Sequence, residues 1–403
     1  MSQDKLGAAI DVGTTTVALH LIELGSNKKI TTVSGLNAQS PYGADVTSRI
    51  KYCADNGHEK LTKLIREQIS AMITEACSQT GASTDNIEKI SIAANTVMQH
   101  LIAGYSPVSM GVAPFTTVSL FGEEHPAWDD LPVAVSTQVY YTPAISAYVG
   151  GDITAGLLAA GFEDILGPAL FIDIGTNGEI VLKSDGTYYC CATAAGPAFE
   201  GAEITMGMIA TSGAINHVYP SNDKSIKYST IGGGEPTGIC GSGLLDTLAV
   251  LLETGDVDKT GRLLCGERLY LTGDTGDTGD EKGVYITAGD IRKLQLAKAA
   301  IAAGIETLLH FAEISEADIT SLALAGGFGS YMDLQSAASI GLFPKSLLPV
   351  AKTYGNTAGE GAALAVGSED VCKRLKEIQK NCEYVELSSI ALFNDKFVDH
   401  MAF

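Results

Sequence analysis

Apolar residues come as short solid runs beside strictly alternating ones, and both are interleaved with longer stretches of helical period. Ala8–Val12 reads as a buried strand and Thr16–Leu24 as its alternating partner, with Gly13, Thr14 and Thr15 as the turn. Residues 28–36 supply a third strand. Two helices are predicted over 43–55 and 58–81, the second closed by Gly81. A strand over 87–95 then leads into a helix that starts near Asn95. Tyr105 to Pro143 is less periodic and richer in proline and aromatic residues, and Gly150–Gly161 reads as a short helix.

The hairpin pattern then returns. Residues 169–194 give three strands in succession, and "IDIGTNGEIVL" from Ile172 echoes "IDVGTTTVAL" from Ile10, 162 residues earlier (172 − 10). That offset suits one domain rather than a solenoid repeat. A glycine-led helix (238–255), a polar loop (271–283), a long amphipathic helix (287–314) and a strand running into Gly326-Gly327 follow. A last helical region starts near Asn356. The loop's alternating acids suggest calcium, but it lacks the bidentate glutamate of a twelve-residue calcium loop and reads as a flexible surface loop. The predicted order is strand-strand-strand-helix twice over, with a domain boundary at Gly167-Pro168: domains 1–167 and 168–403.

Composition fits a two-domain α/β chain. Its 403 residues are 45% hydrophobic and 18% charged, with 45 glycines. No run approaches eighteen apolar residues, and the start "MSQDK" carries no signal region, so the expectation is a cytoplasmic protein with no membrane partner. A net charge of −21 repels phosphate backbones and argues against nucleic acid. It also implies that a nucleotide arrives with a metal and meets locally arranged donors. The eight cysteines, Cys190-Cys191 included, show no C-x-x-C or ferredoxin spacing and read as reduced small hydrophobes.

The chemistry concentrates at strand ends. Asp11 and Asp173 each close an apolar strand beside a glycine turn. One Asp-Gly-Thr is ordinary turn chemistry; two copies a domain apart are what a shared metal–polyphosphate site needs. In that arrangement the two carboxylates flank a hydrated Mg ion. Gly13, Thr14, Thr15, Thr16, Gly175, Thr176 and Asn177 surround the phosphates. Gly326 and Gly327, with Phe328 after them, would let backbone approach a ribose. The absence of G-x-G-x-x-G disfavours a dinucleotide site.

These residues resemble the actin-like ATPase superfamily of actin, sugar kinases, acetate kinase and seventy-kilodalton chaperones. Ile10–Thr16 is similar to its first phosphate motif, Ile172–Gly178 to its second and Leu322–Gly329 to its adenosine motif. Asn95–Gly104 and Gly238–Leu252, with Gly241 at its start, look like the connecting helices. The resemblance implies a two-domain actin-like (ribonuclease H-like) α/β fold of duplicated βββαβαβα-type domains, with ATP in the cleft between them. It also implies Asp152 as a catalytic base, a residue that reads equally as the N-cap of a helix over Ile153–Ala160. By the same resemblance Gln295 and Lys298 hold adenine and ribose; otherwise they form a solvated helix face.

Longer phrases narrow the resemblance to the ATP-dependent reductive activators of corrinoid proteins: "NAQSPYGADVTSRI", "GPAFEGAEITMGM", "GICGSGLLD", "LALAGGFGSYMDLQSAASIGLFP" and the tail "EYVELSSIALFNDKFVDHMAF". That resemblance implies ATP and Mg as cofactors and a corrinoid protein as partner, whose Co(II) is reduced to Co(I). A swing from 1:99 to 99:1 in a two-state partner needs about 5.5 kcal/mol, which is about 240 mV for one electron at 59 mV per decade. Members of this family carry an N-terminal [2Fe–2S] domain, whereas this chain starts almost at the first hairpin. The expectation is that no iron–sulfur cluster sits in this chain and an external ferredoxin-like protein donates the electron; removal of that domain, or another use of the ATPase, stays open. A homodimer is compatible with the sequence. Two other assignments stay open: a 2-hydroxyacyl-CoA dehydratase-type activator, with Cys240 and Cys265 ligating a subunit-bridging [4Fe–4S] cluster, and a small-molecule kinase. A filament is weaker, because no self-association surface is legible.

Overall fold

The computed structural model describes residues 5–201, 203–220, 226–273, 283–327 and 332–403. Its two compact units do not follow a single cut. The first comprises Met1–Ile165, Gly186–Tyr188 and Asn356–Tyr384; the second comprises Leu166–Asp185, Tyr189–Gly355 and Val385–Phe403. The segment from Asn356 to Tyr384, placed with the second domain by the boundary at 167/168, thus belongs to the first unit.

The first unit opens with β1 (Leu6–Val12), β2 (Thr16–Glu23) and β3 (Lys28–Leu36), an antiparallel meander whose β1 is buried on both faces. Helices α1 (Val46–Asn56) and α2 (Glu59–Thr80) follow. Helix α1 starts in a capping box between Asp45 and Ser48, and α2 ends at Gly81 in the left-handed conformation. Next come β4 (Ile87–Ala94), α3 (Thr96–Ala103), β5 (Glu124–Pro126), β6 (Gln138–Tyr141) and α4 (Gly151–Ala159). The sheet order is β3-β2-β1-β4-β6-β5, with β4 parallel to β1. Ile10, Leu19, Ile65 and Ile92 are fully buried in its core.

The second unit repeats the meander in β7 (Ala169–Ile174), β8 (Gly178–Ser184) and β9 (Thr187–Thr193). It then departs from the expected strand-strand-strand-helix order. A small sheet of β10 (Ala214–Pro220), β11 (Ile226–Thr230) and β12 (Gly238–Ile239) precedes α5 (Gly241–Thr254). The pair β13 (Arg268–Tyr270) and β14 (Tyr285–Thr287) leads into α6 (Ala288–Phe311), which is capped by Thr287. Strand β15 (Ser321–Ala325) lies parallel to β7, and α7 (Leu334–Ser339) and β16 (Ala351–Gly355) follow. The main-sheet strands of this unit run β16-β15-β7-β8-β9.

The chain then returns to the first unit as α8 (Thr357–Ala365) and α9 (Glu369–Lys380), and ends in the second as α10 (Ala391–Asp399). Helices α8 and α4 pack at backbone distance: a Cβ on Gly361 would stand 2.1 Å from the Ala155 carbonyl oxygen. Among the described residues no helix is long and apolar enough to cross a membrane.

Candidate active site

Strand β1 carries Asp11 to the edge of the first turn, and α8 supplies its partner. Asn356 Nδ2 donates to Asp11 Oδ2 at 2.7 Å, while Asn356 Oδ1 accepts from Gly359 N at 2.8 Å and so caps the helix. Burial pushes the Asp11 carboxyl up to about 6, against the Asn356 hydrogen bond, which lowers it. Asp152 sits in the first turn of α4. The N-cap is Gly150, so Asp152 does not cap this helix; its Oδ1 accepts from Ile153 N at 2.9 Å. Burial first, and the negative charge of Asp11 second, push Asp152 up to about 7. The two carboxylates thus form one electrostatically linked pair, which at neutral pH retains a proton on one member for much of the time.

The turn between β1 and β2 is held from behind. Asn37 Nδ2 donates to the Gly13 carbonyl at 2.8 Å, and Asn37 N donates to that of Thr15 at 2.9 Å. Arg49 Nη2 donates to the Thr14 carbonyl at 2.5 Å, and Asn95 Nδ2 to Thr14 Oγ1 at 3.2 Å. Thr14 is buried and Thr16 is exposed.

In the second unit, Asp173 lies at the end of β7, opposite Glu179 on β8 and Ala325 on β15. Gly326 follows directly, with φ at +99°. A Cβ there would stand 2.4 Å from the Ile174 carbonyl oxygen and 2.9 Å from Asp173 Oδ1. Only glycine fits that backbone beside the carboxylate. Gly327 has open space where a Cβ would be, and Phe328 lies outside the described residues. In the second turn, Gly175 N donates to the Asn177 carbonyl at 2.9 Å, and Thr176 Oγ1 donates to the Glu200 carboxylate at 3.3 Å. Gly241 opens α5. Cys240 precedes it as the N-cap, buried, with Sγ 3.4 Å from the Ile215 carbonyl oxygen and 3.5 Å from Ser242 Oγ. Cys265 is exposed, and the polar loop lies mostly outside the described residues.

Gln295 and Lys298 are not a solvated face of α6. They are only 2% and 1% exposed, and the chain's own C-terminus occupies them. Gln295 Nε2 donates to the carbonyls of Thr260 and Met401, each at 2.9 Å. Lys298 Nζ donates to the Ala402 carbonyl and lies 5.1 Å from the centre of the Phe403 ring. Burial lowers the Lys298 ammonium to about 8. Both side chains thus hold the C-terminal tail against α6.

Sequence patterns pointed to both aspartate turns and the double glycine. They missed Asn356, Asn37, Arg49 and Glu200, although Asn37 and Arg49 stand in the phrase "NAQSPYGADVTSRI" and Glu200 in "GPAFEGAEITMGM". An asparagine directly before a helical run is an N-cap signal; that Asn356 also reaches Asp11 is a tertiary fact.

Comparison with known proteins agrees along the whole chain. Residues 6–164 match the RACo middle region, and residues 167–403 match the C-terminal domain of RACo, the ASKHA domain. The corrinoid activation enzyme RamQ of Eubacterium limosum is 35% identical, over 98% of this chain and 70% of its own. The [Co(II) methylated amine-specific corrinoid protein] reductase of Methanosarcina barkeri is 24% identical, over 98% of this chain and 77% of its own. A solved structure described as a reductive activator for corrinoid, iron-sulfur protein superposes with a TM-score of 0.89 at 38% identity, covering 100% of this chain and 67% of that one. The chain therefore belongs to the RACo family and carries its middle region followed by its ASKHA domain.

Proposed function

We propose that this chain is an ATP-dependent activator of a corrinoid protein: it binds and hydrolyses MgATP and supports reduction of the partner's Co(II) to Co(I), the electron coming from a separate iron–sulfur protein. The observation that carries this is similarity over nearly the entire chain to RamQ, a corrinoid activation enzyme. The same similarity favours it over a dehydratase-type activator or a small-molecule kinase.

The residues present fit a magnesium nucleotide. The turn after Asp11 has its three carbonyls tied back, and Gly326 packs too closely against the Ile174 carbonyl and Asp173 to admit a Cβ, with open space at Gly327 beside it. Asp11 and Asp173 would hold the hydrated Mg ion. The backbone and hydroxyls of Gly13, Thr14, Thr15, Thr16, Gly175, Thr176 and Asn177 would contact the phosphates. Gly326, Gly327 and Phe328 would line the nucleoside side, and Gly241 would bring the start of α5 close. When bound, MgATP supplies the phosphoanhydride whose hydrolysis drives the uphill reduction.

Asp152 is the proton acceptor in this scheme. Its Oδ1 is committed to Ile153 N, which leaves Oδ2 to take a proton from water. Its raised pKa brings it close to the operating pH, as general base catalysis favours. Asn356 holds Asp11 in one orientation and opposes the burial that would neutralise it. Gln295 and Lys298 anchor the C-terminal tail, and any contact they make with adenine or ribose would be made beside it.

The test is ATP turnover by the purified chain, alone and with a corrinoid protein from the same genome. Turnover that rises with the corrinoid protein and vanishes in folded Asp11→Ala and Asp173→Ala variants is expected. Stimulation by sugars alone, or normal turnover in a folded Asp173→Ala variant, would overturn the proposal.

A further inference from the structure

Arg49 is a fully buried cation without an ionic partner. It lies on α1 and is 0% exposed, and among the described residues no carboxylate comes within ion-pairing distance. Its guanidinium instead donates to three oxygens: the Gly43 carbonyl at 3.0 Å, Gln39 Oε1 at 3.0 Å and the Thr14 carbonyl at 2.5 Å. Met98 Sδ lies 3.0 Å from Nη1. Asp45 is the charged group near enough to act on it, and its carboxylate is engaged as the α1 cap by Ser48 N at 2.7 Å. A buried charge carries a large desolvation cost unless hydrogen bonds or an opposite charge offset it. Here the hydrogen bonds are in place, and the opposite charge of Asp45 acts only from beyond ion-pairing distance.

The position of this cation gives it a direction. In a trans peptide the carbonyl and the following N–H point opposite ways. Asn37 pulls the Gly13 carbonyl toward itself, and Arg49 does the same to the Thr14 carbonyl. The N–H groups of Thr14 and Thr15 therefore point away from Asn37 and Arg49. Successive N–H groups arranged in this way form a concave anion-binding surface, and the guanidinium sits one peptide group behind it. Arg49 polarises that peptide and places a full positive charge behind this turn, in a chain whose net charge, Arg49 included, is −21.

We propose that Arg49 is the positioning residue and buried counter-charge for the polyphosphate of the nucleotide, acting through the Thr14–Thr15 peptide without touching the ligand. This rests on assigning the Gly13–Thr15 turn to the phosphates. It makes affinity climb with the ligand's phosphate charge, and it makes the arginine, rather than the exposed surface, the source of that preference.

The experiment compares adenosine, MgADP and MgATP binding by calorimetry to the wild-type chain and to Arg49→Lys and Arg49→Met. Thermal midpoints with and without Mg-free pyrophosphate are measured alongside. Wild type should bind MgATP at least 100-fold more tightly than adenosine, and pyrophosphate alone should raise its midpoint. Arg49→Met should lose at least 10-fold in MgADP and MgATP affinity while adenosine changes less than 3-fold. Arg49→Lys keeps the charge but not the three-oxygen fork, and should fall between them. An unchanged preference for phosphate in either folded variant would overturn the proposal. So would a wild type that binds MgATP but is unmoved by pyrophosphate, a readout that needs no variant to fold. A wild type that binds no MgATP at all would instead remove the phosphate assignment beneath it.

Discussion

Asp152→Asn separates the cost of a half-buried carboxylate from its use. Asp152 titrates at about 7 in the folded chain, against 3.8 for the free side chain. At about 1.36 kcal/mol per pH unit, that displacement corresponds to about 4 kcal/mol of stability forfeited when the group must ionise. The sign follows from proton binding. Between pH 3.8 and about 7 the folded state holds a proton that the unfolded state has released, so stability falls as pH rises through this window and the full cost is present above it. Asparagine carries no charge to desolvate, and it also relieves Asp11. The nucleotide-free variant should therefore be more stable than wild type by about 2–4 kcal/mol at pH 8, with the gain shrinking to near zero at pH 4. Urea unfolding of both proteins at pH 4, 6 and 8 reads this directly. In the same preparation ATP turnover should fall by about 10²–10⁴-fold. A stability difference independent of pH would refute the buried-pair account. Stabilisation without loss of turnover would keep the electrostatics and remove Asp152 from catalysis.

Two further substitutions probe the second unit. Gly326→Ala forces a Cβ to within 2.4 Å of the Ile174 carbonyl oxygen at a φ of +99°, so it should cost about 2 kcal/mol or more and weaken MgATP binding; thermal melts and calorimetry check both. Deleting Met401–Phe403 strips Lys298 of its Ala402 acceptor and the Phe403 ring, and removes one of the two acceptors of Gln295. Each buried donor left unpaired costs about 1–3 kcal/mol. A clear drop in the thermal midpoint is expected, and an unchanged midpoint would show that the tail does not satisfy these donors in solution.

What was legible in the sequence was local. Asp11, Asp173 and Gly326 each stand at the end of an apolar run beside glycine, and a strand end in an α/β unit is where backbone approaches a ligand. The helices expected over 43–55, from near Asn95 and over 287–314 were likewise local patterns, and they form as α1, α3 and α6. What was not legible is pairing across the chain. Asn356 reaches Asp11 from 345 residues away, and Arg49 reaches Thr14 from 35. No periodicity encodes such contacts. The chain's return to the first unit at Asn356 was hidden for the same reason. Helix α8 is rich in small residues and carries no marked apolar stripe, and what it packs against is decided by Gly361 meeting Ala155. Gln295 and Lys298 show the opposite error. Polar residues on a long helix pointed outward by composition, yet the tail buries both and accepts their hydrogen bonds.

The central claim is tested most directly by following the cobalt. A corrinoid protein from the same genome, poised as Co(II) under strict anaerobiosis, is mixed with this chain and a reduced ferredoxin. The Co(I) absorption band and the Co(II) paramagnetic resonance signal are then recorded before and after MgATP is added. The account predicts that Co(I) appears and the Co(II) signal decays only when MgATP and the chain are both present, and that folded Asp11→Ala abolishes the change. Co(I) formation at the same rate without ATP, or none with the genomic partner and ATP, would contradict it.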